Sequence, residues 1–363
     1  MKILFVFAHP APYKIDLFNG LAPHMDLTVV FERHSSGFRH PFFYDRTRYD
    51  FPTIFLGGIS FGAENHFSLE LIRHLKKHRY DLIIMNGYSS LTEILTIRYL
   101  QRKKIPYILY VNGGVIHEDP PWRKRLKTTL VKGASYYFSP TPFVDSYLRH
   151  YGAKQENIFH YPYATIYQKD IVKQPLTIED KTAFWKKLQI KKGPVFISAG
   201  QFVDRKNNMR VLELWNKRPK SNQLVLIGAG PDEMKYRHYI EQHGLANVYI
   251  LPYQKREQLL NLTRHANGFI ILSKEDIYGH VINESLSQGV PVVSSRHVMA
   301  AMHLIVDGVN GYLVDLEDDD VILQAISSLC RQDMFQSCVA TAQNNTLEKM
   351  VAHHVEVFTK IVK

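Results

Sequence analysis

FIILSKEDIYGHVINESLSQGVPVVSS, residues Phe269–Ser295, decides how the chain folds. It opens on the apolar run Phe269-Ile270-Ile271-Leu272, which reads as a buried parallel strand. A polar loop, Ser273 to Tyr278, follows. Gly279 precedes a short helical pattern that places Val281, Ile282 and Leu286 on one face. Gly289 stops that helix, and Pro291-Val292-Val293 begins the next strand. Asp276 stands before the helix and Glu284 inside its first turn. A helix N-terminus carries unpaired backbone N–H groups and partial positive charge, which suit a phosphate. The stretch therefore reads as a nucleotide-phosphate or sugar site.

Outward from it, strand-like and helix-like runs alternate throughout the second half of the chain, as in α/β proteins. Strands are expected at Pro194–Ser198, Gln223–Ile227, Val248–Leu251 and Gly311–Val314. Helices are expected at Met209–Trp215, Asp232–His243, Arg256–His265, Asp318–Arg331 and about Val339–Ile361. The first half has its own series. Its strands are Ile3–Phe7, Leu27–Phe31, Leu82–Met85, Tyr107–Val111, Tyr136–Ser139 and Ile158–Tyr161. Its helices are Ile15–Leu21, Phe67–His78 and Leu91–Gln101. Residues 33–53 read as irregular. Between Pro162 and Lys192 the chain turns polar and Lys-rich apart from a helical piece, Ile178–Leu188, so the domain boundary is placed there. The division expected is 1–170, 171–345, and a C-terminal helix 346–363 that packs back toward the N-terminal domain.

The 363 residues suffice for two α/β cores. With 45% apolar and 12% aromatic residues the chain is not disordered. Two cysteines, Cys330 and Cys338, make neither a disulfide framework nor a metal cluster, and point to a reducing compartment. The opening MKILFVFAHP has a short apolar run followed by His-Pro-Ala-Pro-Tyr, and reads as a buried strand rather than a signal peptide. No apolar stretch approaches the roughly 18 residues that span a bilayer. The net charge of +11 favours an anionic partner. Residues 122–133, WRKRLKTTLVKG, form a basic helix with a narrow apolar stripe of Trp122, Leu126, Thr129 and Leu130. It reads either as a contact for an anionic membrane surface or as an ordinary surface helix. No recognition helix, zinc finger or RNA-binding aromatic signature is present, so nucleic acid is not an expected partner.

Four features line up in the second half, the first three each following a strand. They are Gly200-Gln201-Phe202-Val203-Asp204-Arg205-Lys206; Gly228-Ala229-Gly230-Pro231-Asp232; Ser273 through Glu284 with Gly289-Val290-Pro291-Val292-Val293; and Asp307-Gly308-Val309-Asn310-Gly311. In this order and spacing the chain resembles the retaining GT-B glycosyltransferases of family 4, which use nucleotide sugars. The likeness covers the C-terminal half strongly. In the N-terminal half it rests on the opening strand, Pro12-Tyr13 to Leu17-Phe18, and Ser135 to Tyr161.

The resemblance implies two Rossmann-like α/β domains facing across a cleft, an acceptor domain first and a donor domain second. It implies transfer of a sugar from a UDP- or GDP-sugar to a hydroxyl acceptor, in cell-surface polysaccharide or glycolipid synthesis. In the family's E-x7-E motif the second carboxylate is Glu284, expected on the donor's ribose hydroxyls; a carboxylate can accept from two neighbouring O–H groups. Asp276 takes the first position, expected on the transferred sugar. Lys206 matches the family's diphosphate lysine, Gln201 stands where the family has arginine, and Arg205 lies beside it. Gly200, Gly230, Gly279, His280 and Val281 complete the expected donor site. Gly228-x-Gly230 alone lacks the third glycine of a dinucleotide fingerprint and reads as a tight turn. His117, after Asn112 and Gly113, is the expected histidine near the transferred sugar, with Glu118 beside it. His9 and Tyr13 on the first loop are alternatives. The resemblance also implies retention of configuration through an oxocarbenium-like state, with a donor phosphate oxygen taking the acceptor's proton. No metal and no cofactor beyond the nucleotide sugar is expected. The expected setting is the cytoplasm, at the inner membrane face, on a glycan or lipid-linked acceptor. The rival readings are an epimerase or phosphorylase on the same scaffold, and a non-catalytic nucleotide-sugar or glycan binder.

Overall fold

The opening apolar run, too continuous for a half-exposed strand, becomes β1 (Lys2–Phe7), buried from Ile3 onward. The computed structural model describes residues 1–35, 44, 48–61 and 65–362. The expected irregularity of residues 33–53 falls largely on residues 36–43 and 45–47, outside the described ones. After β1 come α1 (Pro12–Leu21), β2 (Asp26–Phe31), β3 (Thr53–Phe55), β4 (Ile59–Phe61), β5 (Asn65–Phe67), α2 (Glu70–Lys77), β6 (Leu82–Met85), α3 (Leu91–Lys103), β7 (Ile108–Tyr110), α4 (Pro121–Lys132), β8 (Tyr136–Ser139), α5 (Pro142–His150) and β9 (Ile158–His160). The series then continues with α6 (Ile178–Lys187), β10 (Val195–Ala199), α7 (Asn208–Asn216), β11 (Gln223–Ile227), α8 (Glu233–Gln242), β12 (Val248–Leu251) and α9 (Arg256–Arg264). It ends with β13 (Gly268–Ile271), α10 (Val281–Ser287), β14 (Val292–Ser295), α11 (Met299–Leu304), β15 (Gly311–Val314), α12 (Asp319–Ser328), α13 (Phe335–Gln343) and α14 (Leu347–Val362).

The chain divides into two compact units, one of Met1–Ala164 with Leu347–Lys363 and one of Thr165–Thr346. The first holds a seven-stranded sheet ordered β3-β2-β1-β6-β7-β8-β9, parallel throughout. The second holds a six-stranded parallel sheet ordered β12-β11-β10-β13-β14-β15. Both are Rossmann-like. Strand order reverses between β1 and β6 in one unit and between β10 and β13 in the other. In open α/β sheets ligands lie beyond the strand C-termini at such a reversal.

Two expected helices differ. The helix expected from Phe67 starts only at Glu70, because Asn65–Phe67 pairs antiparallel with Ile59–Phe61. There the His66 imidazole bonds the Ser60 hydroxyl at 3.0 Å. The single helix expected over Val339–Ile361 is two, α13 and α14, broken at Asn344–Thr346. Asn345 is held at the break: its side chain bonds Thr341 O, and its carbonyl accepts from Asn283 Nδ2 at 2.7 Å. Beyond the break α14 belongs to the first unit and packs on α1. A Cβ on Gly20 would lie 2.6 Å from Val351, so only a glycine lets the two helices approach so closely. The helix α5 was not anticipated, although Thr141 caps it and Pro142 opens it.

Candidate functional site: the crevice between β10 and β13

In the second unit, the loops after β10 and β11 press backbone to backbone. Gly200 and Gly228 both have φ +155, and a Cβ on Gly228 would lie 1.9 Å from Gly200 O. A Cβ on Gly230 would lie 2.3 Å from Phe202 O. Phe202 N donates to Ala229 O at 2.9 Å and Asp232 N to Phe202 O at 3.1 Å. The two glycines of Gly228-Ala229-Gly230 thus serve loop contact, as a tight turn requires.

The loop after β10 is then tied to the loop after β13. Residues Asp204–Lys206 form a short turn ending at Asn207, whose φ is +56. Asn207 Nδ2 donates to Leu272 O at 3.0 Å. Lys274 N donates to Arg205 O, and Lys274 Nζ reaches both Asp204 carboxylate oxygens at 2.9 Å. These bonds set Lys206 against Asp276, and Lys206 Nζ pairs with Asp276 Oδ2. The two side chains are 15% and 10% exposed, so solvent screens the pair weakly. Gly279 follows at φ +92, where a Cβ would lie 2.4 Å from Val298 and 3.6 Å from Asp276 Oδ2. It leads into α10 with His280 and Val281 half-buried at the start. The first bonds of the helix are Ile282 N to Gly279 O and Glu284 N to His280 O. The structure thus brings Lys206, Asp276, Gly200 and Gly279 together. Sequence reasoning put Asp276 on a sugar hydroxyl and Lys206 on a diphosphate; the two side chains hold each other across the crevice. Arg205 is exposed and turns toward Gln201, its Nη2 lying 3.4 Å from Gln201 Oε1.

Glu284, on the first turn of α10, accepts from Thr165 Oγ1 at 3.0 Å. Burial raises its carboxyl above the ordinary 4.5, helped by the nearby Asp170 and opposed by Arg256 and by the Thr165 bond. Arg256, at the start of α9, pairs with Asp170 and lies over the Tyr167 ring, 5.3 Å from its centroid. Asp170 also accepts from Tyr167 N at 2.9 Å. Sequence reasoning missed Thr165, Asp170 and Arg256. The first two lie in the polar stretch where the domain boundary is expected, and nothing local marks any of them.

In the first unit the loops after β1, β6 and β7 meet on Lys14. Its Nζ donates to Asn112 Oδ1 at 2.9 Å and lies 4.4 Å and 4.6 Å from the Tyr110 and Tyr163 ring centroids. Asn112 Nδ2 donates to Asn86 Oδ1, and the Tyr161 hydroxyl donates to Asn112 Oδ1. Behind Tyr110 lies His354 of α14. Its Nδ1 bonds Met350 O at 2.6 Å and its Nε2 faces the Tyr110 hydroxyl at 3.2 Å. Burial pushes this imidazole down to about 3, so it stays neutral. Of the expected acceptor-side residues, Asn112 is therefore fixed, and Gly113 follows it half-buried. Tyr13 packs on Tyr163, and His9 bonds the Tyr44 hydroxyl at 3.2 Å. His117 and Glu118 are exposed on the loop before α4. The apolar stripe expected on α4 is not continuous. Leu130 is buried, Leu126 half-buried and Trp122 69% exposed, while Thr129 is exposed and bonds Arg125 O.

Lys14 is fully buried, and burial holds its ammonium well below the ordinary 10.5. Below pH 10.5 the unfolded chain therefore binds more protons than the folded one, so this residue makes stability rise with pH. Lys14→Met keeps the stem and removes the penalty. It is expected to stabilise the fold by on the order of 1 kcal/mol or more at neutral pH, with the gain shrinking as pH approaches 10.5. Denaturant midpoints across that range check this; a lowered midpoint at every pH contradicts it.

Among the described residues no three His, Cys, Asp or Glu side chains gather as a metal-binding group, and no helix is long and apolar enough to cross a membrane. Residues 179–347 match the model of the family "Glycosyl transferases group 1". The lipopolysaccharide core biosynthesis glycosyltransferase LpsE of Rhizobium meliloti is 28% identical over 155 residues, 42% of this chain and 44% of that protein. The D-inositol 3-phosphate glycosyltransferase of Corynebacterium diphtheriae is 30% identical over 147 residues, 38% of this chain and 34% of that protein. The matches thus span less than half of these two relatives. The crystal structure of Anabaena HepE with UDP superposes with a TM-score of 0.78 at 17% identity, covering 99% of this chain and 100% of that one. HepE and the lipopolysaccharide glycosyltransferase WaaG share the GT-B architecture of two Rossmann-like units with this chain. Residues 179–347 are therefore a glycosyltransferase group 1 domain, carried on a chain of GT-B fold.

Proposed function

We propose that the chain is a retaining, metal-independent glycosyltransferase of family 4. It moves a hexosyl group from a UDP- or GDP-sugar to a hydroxyl of a glycan or lipid-linked acceptor, in the synthesis of cell-surface polysaccharide or glycolipid. The observation that carries this reading is the crevice between β10 and β13. There a weakly screened lysine, Lys206, stands beside the glycine-led start of α10, and a half-buried carboxylate, Glu284, whose pKa is raised by desolvation, sits on its first turn. Lys206 and the first N–H groups of α10, near Gly279, His280 and Val281, meet the diphosphate. Gly200 and Gly230 keep the loop backbones close beside it, and Arg205 adds a second cation. Glu284 accepts from the ribose hydroxyls. Asp276, released from Lys206 when the diphosphate takes the ammonium, turns its carboxylate to a hydroxyl of the transferred sugar. HepE structures hold UDP and UDP-glucose, and LpsE acts in lipopolysaccharide core biosynthesis; both are in keeping with a nucleotide-sugar donor and a surface glycan.

As the glycosidic bond breaks, the leaving diphosphate gains negative charge, and Lys206, already fixed in place, stabilises it without reorganisation. The acceptor hydroxyl enters on the face that the diphosphate leaves, and a donor phosphate oxygen takes its proton. On the acceptor side His117, Asn112, Gly113, His9 and Tyr13 are the residues assigned to the reacting groups. The basic residues of α4, Lys124, Arg125 and Lys132, are exposed. They give the chain a peripheral contact with an anionic lipid surface at the inner face of the membrane, a contact that weakens as salt is raised. The test is proton NMR of the reaction with UDP- and GDP-sugars. The reading expects nucleoside-diphosphate release without added divalent ion and a product of the donor's anomeric configuration. An inverted product contradicts retention. Donor binding without any turnover contradicts an enzyme and leaves a binder.

A further inference from the structure

The apolar side of α4 reaches the core only at Leu130, with Leu126 half-buried and Trp122 exposed. With the glycine ends of β6 and β7 it encloses a cavity of about 450 Å³ inside the first unit. Trp122, Arg123 and Leu126 line one wall, Tyr88 and Tyr147 another, and Gly113 a third. The two tyrosine hydroxyls bond each other. A Cβ on Gly114 would lie 2.7 Å from the Tyr147 ring, so the chain at Gly113 and Gly114 is pressed against that wall.

The charges in this wall do not cancel. Asp119 is 3% exposed, and its Oδ2 accepts from Lys127 Nζ at 2.7 Å and from the Tyr151 hydroxyl at 2.5 Å. Lys127 is thereby neutralised. Arg123, 58% exposed, comes no nearer than 3.6 Å to the other oxygen of the same carboxylate, beyond hydrogen-bond distance. Its planar fork of five N–H donors makes no hydrogen bond among the described residues, and it stands beside an indole that is 69% exposed. A large exposed aromatic face next to a guanidinium that makes one long ion pair with Asp119 and no hydrogen bond, over a pair of tyrosine hydroxyls, has a specific complement. That complement is a ring with an apolar C–H face, polar edges and an anionic substituent.

We infer that this cavity binds an anionic saccharide, with a sugar ring stacked on Trp122 and its phosphate or carboxylate paired with Arg123. On the glycosyltransferase reading above, on which this assignment of role rests, that saccharide is the acceptor. The enzyme then extends a glycan that an earlier phosphorylating or oxidising step has made anionic.

The chain carries its own reporter. Of its three tryptophans, Trp185 and Trp215 are 3% and 0% exposed, so acrylamide quenching reads Trp122. The full chain is titrated with glucose 6-phosphate, glucuronate, glucose and inorganic phosphate, without donor. Glucose 6-phosphate or glucuronate is expected to protect Trp122 saturably, and whichever does so identifies phosphate or carboxylate as the anion. Glucose is expected to bind about tenfold more weakly, and Arg123→Gln to remove that difference. UDP binding, measured by thermal shift, is expected to be unchanged in Arg123→Gln, which shows that the variant is folded. Protection by neither anionic sugar, or equal protection by glucose, overturns the inference. So does protection by inorganic phosphate alone (an adventitious ion only), or by phosphatidylglycerol vesicles but not by sugars. If the sugars bind as expected but no nucleotide sugar is turned over, the site stands and the acceptor role falls.

Discussion

Lys206→Met is expected to lower turnover of the nucleotide sugar by roughly 10²–10³-fold, the usual cost of removing one preorganised group from a developing anion. The expectation rests on how firmly the ammonium is placed. The turn Asp204–Lys206 is tied to the β13 loop through Asn207 and Leu272, Arg205 and Lys274, and Asp204 and Lys274. The Lys206 stem runs alongside Gly200, its Cε 3.7 Å from where a Cβ there would lie, an ordinary packing distance. The diphosphate carries more charge in the transition state than in the bound donor, so kcat is expected to fall more than donor affinity. The variant also leaves Asp276 as a buried carboxylate without its cation, repelling the donor. Lys206→Met with Asp276→Asn is therefore expected to recover part of the lost donor affinity and little of the lost kcat. Steady-state rates of nucleoside-diphosphate release check both points, and undiminished turnover in Lys206→Met contradicts the diphosphate assignment.

Glu284→Gln is expected to weaken UDP or GDP binding by roughly 10–100-fold, the worth of hydrogen bonds to a charged acceptor. It keeps the shape of the side chain and the bond from Thr165. The loss is expected to concentrate on the ribose, so wild-type protein distinguishes UDP from its 2′-deoxy analogue and the variant does so much less. Burial raises the Glu284 carboxyl above 4.5, so the group takes up its proton at a higher pH than an ordinary glutamate. Only the ionised form accepts two hydroxyl hydrogens. Wild-type affinity is therefore expected to fall on acidification while the pH is still above 4.5, and the variant's affinity to show no such fall. Titration calorimetry at several pH values measures this; a variant that discriminates ribose from deoxyribose as well as wild type does sinks the assignment.

Much of the fold was legible because parallel strands buried on both faces leave unbroken apolar runs. Gln223–Ile227, Val248–Leu251 and Gly311–Val314 could be read residue for residue. The short strands β3, β4 and β5 left no such run, since they are only three residues long and partly exposed. The break between α13 and α14 was hidden because apolar residues continue on both sides of Asn344–Thr346. The site was legible in its parts but not in its pairings. Lys206 and Asp276 are 70 residues apart, and the Thr165 hydroxyl that bonds Glu284 lies 119 residues away in the polar stretch that reads as the domain boundary. Lys14 precedes the helix expected from Ile15, and nothing in its neighbourhood marks it as buried. Its surroundings combine nearby Phe7 and Tyr13 with Tyr110, Asn112 and Tyr163 from distant parts of the chain, which no local pattern encodes. Likewise, the cavity beside α4 is lined by residues of distant strand ends and of α5, Gly87, Gly113 and Tyr147, which no pattern within residues 122–133 encodes.

The central claim is that the β10–β13 crevice holds a nucleotide-sugar donor through Lys206 and Glu284. A thermal-shift titration with a panel of UDP- and GDP-sugars tests it most directly, because a ligand that binds only the folded chain raises Tm in step with its concentration and affinity. The account predicts a saturable rise with at least one of these donors for wild-type protein, strongly reduced in both Lys206→Met and Glu284→Gln. A wild-type Tm that no nucleotide sugar moves, or a rise that survives intact in both variants, would contradict it.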